Sequence, residues 1–251
     1  TLTPTTTVAL VATLPASSSF VVSPGAASKL AFTVQPSAVV AGAAIAPAIQ
    51  VTVQDAQGNT VSNATTSAAL VITTGTGTSG ALLGGTVTVP AVAGVATFTD
   101  LSIDKAGTGY TLTASASGLA SATSSALTVS AGAAAKLAFT VQPSTVVAGA
   151  AIAPAVKVTV QDVMGNTITG ATTSIVMAIT GGTGTTGAAL GGTATQAAVA
   201  GVTTFANLTV DMVGTNYSLT ATATSLTSAT STAFAVTPGA ANRLAFTVQP
   251  S

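Results

Sequence analysis

Five aspartates (Asp55, Asp100, Asp104, Asp162, Asp211), four lysines (Lys29, Lys105, Lys136, Lys157), Arg243 and the tyrosines Tyr110 and Tyr217 are the titratable side chains of this 251-residue chain; His, Cys and Glu are absent. General acid–base work near neutral pH draws mainly on His, Glu, Asp, Lys, Cys or Tyr in tuned surroundings. Here no nucleophile can be matched with a base. Asp100 and Asp104 have the look of a carboxylate pair, yet Asn207 stands where Asp100 would recur. Calcium takes about six to eight oxygens, several from carboxylates, and the scattered aspartates do not supply them. Asp55-x-x-Gly58-Asn59 and Asp162-x-x-Gly165-Asn166 read first as turns in which the carboxylate bonds its own backbone and Gly and Asn accept positive φ, and only second as metal ligands. The expectation is a chain with no catalytic, cofactor-binding or metal-ligating residues and no cofactor.

What positions these groups is a duplication. Leu30-Ala-Phe-Thr-Val-Gln-Pro-Ser37 returns as Leu137 to Ser144 and as Leu244 to Ser251, with Pro36, Pro143 and Pro250 each 107 residues apart. That period is the size of a domain. Gly94, Phe98, Asp104, Tyr110 and Leu119 map without a slip onto Gly201, Phe205, Asp211, Tyr217 and Leu226. The division expected is residues 1–28 as the last strand or strands of a preceding, partly divergent repeat, 29–135 and 136–242 as two immunoglobulin-like repeats, and 243–251 as the first strand of a following one. Phe20 and Val22 align with Leu127 and Val129 and mark that earlier strand.

Within each repeat the apolar residues alternate with period two, as in Leu30-Phe32-Val34, Ile49-Val51-Val53, Leu70-Ile72 and Tyr110-Leu112-Ala114. This is the signature of strands with one buried face. Turn residues punctuate them at Pro36-Ser37, Gln57-Gly58-Asn59, Gly75–Gly85, Ala93-Gly94, Gly107–Gly109 and Gly118. About seven or more short strands in a unit of this length predict an all-β fold of tandem immunoglobulin-like antiparallel β-sandwiches. Helix is not expected. Tyr110 and Tyr217 follow Gly-containing turns and are read as tyrosine corners, with the ring packed and the hydroxyl on backbone. Phe32, Phe98, Phe139 and Phe205 are assigned to the core. The Gly-rich stretches Gly75–Gly85 and Gly182–Gly192 lack a following Gly-Lys-Ser/Thr and are read as loops between strands, not phosphate loops. Ala131–Ala135 and Gly239–Asn242 are read as linkers. No Lys recurs in every copy, which argues against a self-formed Lys–Asn cross-link.

The series Val51-Thr52-Val53-Gln54-Asp55-x-x-Gly58-Asn59, a Gly-rich loop, Gly94-Val95-Ala96-Thr97-Phe98 and Asp104-Lys-Ala-Gly-Thr-Gly-Tyr110-Thr-Leu-Thr-Ala114 resembles bacterial immunoglobulin-like repeats, the tandem modules of invasin-like and other giant surface proteins. The resemblance spans both repeats and both end pieces apart from residues 1–18. It implies a sandwich fold, a cell-surface setting and a role as spacer, stalk or adhesive rod, with ligand recognition in some other domain.

Composition completes the expectation. Charged residues make up 4% of the chain and the formal net charge is zero, against roughly 25% charged residues in ordinary soluble domains. No basic patch exists for nucleic acid or an anionic membrane. The longest apolar stretch, Ala38–Ile49, is broken by Gly42 and Pro47, so no membrane insertion is expected. Charge is the usual protection of sheet edges. Its scarcity points to self-association with other copies, or to glycans on Thr, Ser or the sequons at Asn63, Asn207 and Asn216. The sequence reading is therefore a non-catalytic, extracellular bacterial surface protein region that forms or contributes to a filament, fibre or sheath, the alternative being the spacer stalk of an adhesin.

Overall fold

A computed structural model describes residues 19–241, Leu244 and Phe246. It is all-β, with the two repeats folded as successive β-sandwiches, each around its own core. Among the described residues there is no helix. In the first repeat Lys29–Val34, Ile49–Gln54 and Val95–Phe98 form one sheet, in that order, and Ala122–Thr123, Leu112–Ser115, Ser67–Ile72 and Thr88–Pro90 form the facing one. A third ladder joins Val39–Val40, Leu127–Ser130 and Gly107–Tyr110, and a two-stranded ribbon joins Leu83–Gly84 to Ser102–Ile103. The second repeat repeats every one of these pairings.

Alternation puts Leu30, Ile49, Val51, Val53, Ala96 and Phe98 of one sheet against Ala68, Leu70, Leu112 and Ala114 of the other, all buried. The registers agree with the pattern, with Ile49 opposite Phe98, Val51 opposite Ala96 and Leu70 opposite Ala114. Phe98 and Phe205 are buried as expected, whereas Phe32 and Phe139 are only half-buried and lean on the core from the rim.

Three details depart from the sequence reading. Val39–Val40 and Val146–Val147 pair parallel, not antiparallel, with the last strand of their own repeat. The Gly75–Gly85 stretch is not loop throughout, because Leu83–Gly84 pairs with Ser102–Ile103. The strand expected at Phe20–Val22 is absent: these residues are in no strand, and Phe20 and Val22 are 84% and 80% exposed. The corresponding strand Leu127–Ser130 is held on both sides by strands of its own sandwich, and residues 19–241 contain no such partners for Phe20–Val22. The strand expected over 243–251 lies outside the described residues, except for Leu244 and Phe246.

The two main sheets differ at their edges, the three-stranded one ending in the six-residue Lys29–Val34 and the four-stranded one in short strands. The four-stranded sheet of the first repeat ends in a two-residue strand on one side and in the three-residue Thr88–Pro90 on the other. Short edge strands, and proline on an edge, leave little backbone for another chain to pair with.

Candidate functional site

Each of the five aspartates accepts at least one backbone N–H. Asp55, almost fully buried, accepts the N–H of Asn59 on Oδ1 at 2.9 Å, and on Oδ2 the Asn59 amide at 3.0 Å and the Gly25 N–H at 2.8 Å. Asp162 does the same with Asn166 and with Gly132, at 2.8, 2.9 and 2.9 Å. The Asn59 side-chain amide first, then the Gly25 N–H, hold the Asp55 carboxyl down to about 2. At Asp162 burial pushes the carboxyl up, but the N–H groups of Gly132, Asn166 and Gly165 and the Asn166 amide outweigh it and the net direction is down. Carboxylates that accept this many donors are fixed anions, unsuited to proton transfer at neutral pH.

Asp100 and Asp104 do not form a dyad. Asp100 caps Thr86, accepting its N–H at 2.9 Å and its hydroxyl at 2.8 Å, and these two bonds lower its carboxyl. Asp104 accepts the Leu82 N–H at 2.7 Å, and Asp211 accepts the Ala189 N–H at 2.7 Å. Among the described residues no three acidic side chains come together. The Gly-rich loops are lids on the tyrosines: a Cβ on Gly77 would lie 2.1 Å from the Tyr110 ring, and one on Gly184 2.1 Å from the Tyr217 ring. Each tyrosine hydroxyl donates to the carbonyl five residues before it, Lys105 or Met212, at 2.8 Å. Both are therefore corners, as the sequence indicated. Of the sequons, Asn207 has its side chain occupied by Thr193, while Asn63 sits exposed in a turn.

The two repeats meet at the junction, where the Asp162 turn reaches the end of the first sandwich. The Asn166 amide donates across it to the Asp104 carbonyl at 2.9 Å, and Asn166 Oδ1 accepts the Ala106 N–H at 2.8 Å. With Asp162 as the second acceptor, both amide protons and the oxygen of Asn166 are engaged. Met164 fills the space beside Gly42, where a Cβ would stand 3.1 Å from its sulfur. The linker is pinned as well, by Gly132 N–H on Asp162 and by Ala135 N–H on the Gln161 carbonyl at 2.8 Å. Ala131–Ala135 is thus a seated connection and no free hinge. Sequence reasoning gave Asp162 and Asn166 their turn but missed the cross-junction bonds, which link residues about sixty positions apart. The only available signal was that Asn59 and Asn166 recur at the same point of the repeat.

No known protein family and no curated protein matches the chain. Solved structures similar to it include a β-glycosidase from Bacteroides vulgatus (14% identity, 84% of this chain, 25% of that one, TM-score 0.35). They also include the adhesin InvE of Yersinia pseudotuberculosis (16% identity, 80% and 56%, TM-score 0.31) and domains 4–9 of the surface layer protein SbsC (17% identity, 84% and 32%, TM-score 0.29). The chain spans between a quarter and just over half of these chains' lengths.

Proposed function

We propose that this chain is a non-catalytic structural region of an extracellular bacterial surface protein, built of bacterial immunoglobulin-like repeats that form or contribute to a filament, fibre or sheath. The observation that carries the reading is the junction: a pinned linker, a two-way amide bridge and a half-exposed methionine lying beside Gly42 couple one sandwich to the next. Repeats coupled in this way keep length and direction, which is what an extended element requires. The aspartates, committed to backbone donors, support the absence of catalysis. A stalk that presents a distal module is the second reading, favoured by the short edge strands of the four-stranded sheet, which suit a rod that stands alone in solvent.

Negative-stain images and small-angle scattering of the purified chain test this. A stiff particle with a fixed angle between its two sandwiches is expected, and Asn166→Ala should broaden the distribution of that angle. Images of freely swivelling beads for the unaltered chain would remove the support.

A further inference from the structure

We infer that Asn63 is a glycosylation site whose side-chain amide carries an N-linked glycan, and that of the three Asn-x-Ser/Thr motifs in the chain it is the one the fold leaves open to the modification. The inference rests on the extracellular reading above and gives a sparsely charged surface a source of hydration at a named atom.

A bulky, hydrated group is accommodated where the chain is exposed and not locked into a ladder, with the hydroxyl two residues on also within reach. Asn63 meets these conditions. It lies in a tight turn in which the Ala64 N–H donates to the Val61 carbonyl at 2.9 Å, and Ala64, Thr65 and Thr66 then run outside any strand before Ser67–Ile72 begins. Asn63 and Thr65 are both exposed. The other two motifs are obstructed. The Asn207 amide is engaged, Oδ1 accepting the Thr193 N–H and Nδ2 donating to Thr193 Oγ1, and its Thr209 belongs to the strand Thr209–Val210. Asn216 lies inside the strand Gly214–Tyr217 with φ +59°, and its Ser218 is 8% exposed.

The exposure of Asn63 is a property of the turn and not of its nearness to the front of the chain. The second repeat makes the same turn, with the Ala171 N–H on the Ile168 carbonyl at 2.9 Å, and there a whole sandwich precedes it. Gly170, the counterpart of Asn63, is nevertheless exposed, and a Cβ added to it would meet nothing within 4 Å. Thr172 is exposed as Thr65 is. This point of the repeat therefore keeps open space around it with a neighbouring sandwich in place.

The loop carrying Asn63 runs along the Ala91–Gly94 turn, with the Ala91 N–H on the Thr66 carbonyl at 3.2 Å and Gly94 close against the Val61 carbonyl. That turn presents Val92, 75% exposed. A glycan supplies hydration there that charge, at 4% of residues, does not. Its attachment forms a bond between Asn63 Nδ2 and the anomeric carbon of the sugar and breaks the bond from that carbon to phosphate in an activated donor, a lipid- or nucleotide-linked sugar. The donor's phosphate leaves, and the amide gives up one proton.

Mass spectrometry of the chain isolated from its own cells, intact and as peptides, tests this. The peptide containing Asn63 should carry the mass of a glycan. It should be bare in Asn63→Gln and in Thr65→Ala, while Thr65→Ser keeps the glycan; loss in Thr65→Ala, with Asn63 intact, marks transfer directed by the motif. Gly170→Asn completes the same motif with Ala171 and Thr172 and should add a second increment of mass, and the φ of Gly170 lies outside the left-handed region, so the turn accepts the change. All four substitutions fall on exposed positions and should leave melting within about 2 °C before any sugar is added. An Asn63 peptide that is bare in the unaltered chain, a glycan that persists in Thr65→Ala, or sugar confined to Thr and Ser hydroxyls overturns the proposal. If the chain is recovered outside the cell with Asn63 bare, this inference alone falls. If it is recovered inside the cell and bare, the extracellular reading falls with it.

Discussion

The two repeats are near-copies with the same strands in the same order, and their differences separate what the fold requires from what it tolerates. Both keep a glycine under a buried tyrosine, a tyrosine hydroxyl on a carbonyl five residues back, and an aspartate gathering the N–H groups of its turn. They differ in whether a charge or a hydroxyl is present at places that only need an acceptor or a small group. Asp100 becomes Asn207, Lys105 becomes Met212 and Ala96 becomes Thr203. The strand pairings, the tyrosine corners and the aspartate turns keep their geometry between the copies while formal charge does not, which is how a chain with so few ionisable groups still specifies a unique fold.

The sharpest way to break the equivalence is to fill the space under one tyrosine. Gly184 has φ +67°, and an added Cβ would lie 2.1 Å from Tyr217 Cε1, so Gly184→Ala combines backbone strain with overpacking. A loss of about 4 kcal/mol is expected in the second repeat, or ~20 °C in its melting transition. Calorimetry should show that transition moving away from the first repeat's, and Gly77→Ala should reverse the assignment. An unchanged melt would mean that the loop does not lie on the ring.

Removing the hydroxyl alone is gentler. Tyr217→Phe keeps the buried ring, which stands 5.9 Å from that of Phe234, and deletes the bond to Met212. About 1.5 kcal/mol should be lost, and Tyr110→Phe should cost the first repeat the same. Unequal losses from chemical denaturation would show that the two corners are not the same device.

These corners were legible in the sequence because a tyrosine after a Gly-containing turn is a local signal. The alternating strands were legible for the same reason, and so were the Asp55 and Asp162 turns, whose carboxylates act within four residues. The Gly77–Tyr110 contact was not, since a Gly-rich loop satisfies many conformations and only packing against the ring selects one. The parallel pairing of Val39–Val40 with the last strand escaped as well, because strand direction is set by chain path and leaves no mark on alternation. Asn166 recurred visibly as a turn residue, but its role in the junction depends on where the preceding sandwich places two backbone groups.

Thr203 offers a change in the opposite direction. It is 1% exposed, and its Oγ1 finds no hydrogen-bond partner among the described residues, whereas the first repeat has buried Ala96 at that position. An unpaired buried hydroxyl costs about 1–3 kcal/mol. Thr203→Val keeps the volume and the strand preference and removes the stranded group, so a gain of about 1 kcal/mol in the second repeat is expected. Ala96→Thr should lower the first repeat by a similar amount. A loss on Thr203→Val would mean that the hydroxyl is satisfied in solution.

The smallest effect tests the claim that charge is dispensable. Asp100 accepts both the N–H and the hydroxyl of Thr86, and Asn207 reproduces the contact with the hydroxyl reversed: its Oδ1 accepts the Thr193 N–H at 3.0 Å and its Nδ2 donates to Thr193 Oγ1 at 3.0 Å. Because the threonine hydroxyl is both donor and acceptor, Asp100→Asn should leave the first repeat's melting temperature at pH 7 within about 2 °C. The acid side should differ. Carboxyls lowered in the fold bind fewer protons there than in the unfolded chain, so their stabilisation is complete above the unfolded value of about 4 and is lost as pH falls toward the folded one, about 2 for Asp55. With no His, Cys or Glu in the chain, stability should be nearly flat from about pH 4 to 9 and decline below, where Asp55, Asp100 and Asp162 take up protons. Asp100→Asn removes one of the lowered carboxyls and should make the first repeat's decline shallower, leaving the second unchanged. An acid limb of undiminished slope in that variant would show that the Thr86 contact does not depend on the ionised form, and that Asp100 and Asn207 are interchangeable for a reason other than shared acceptor geometry.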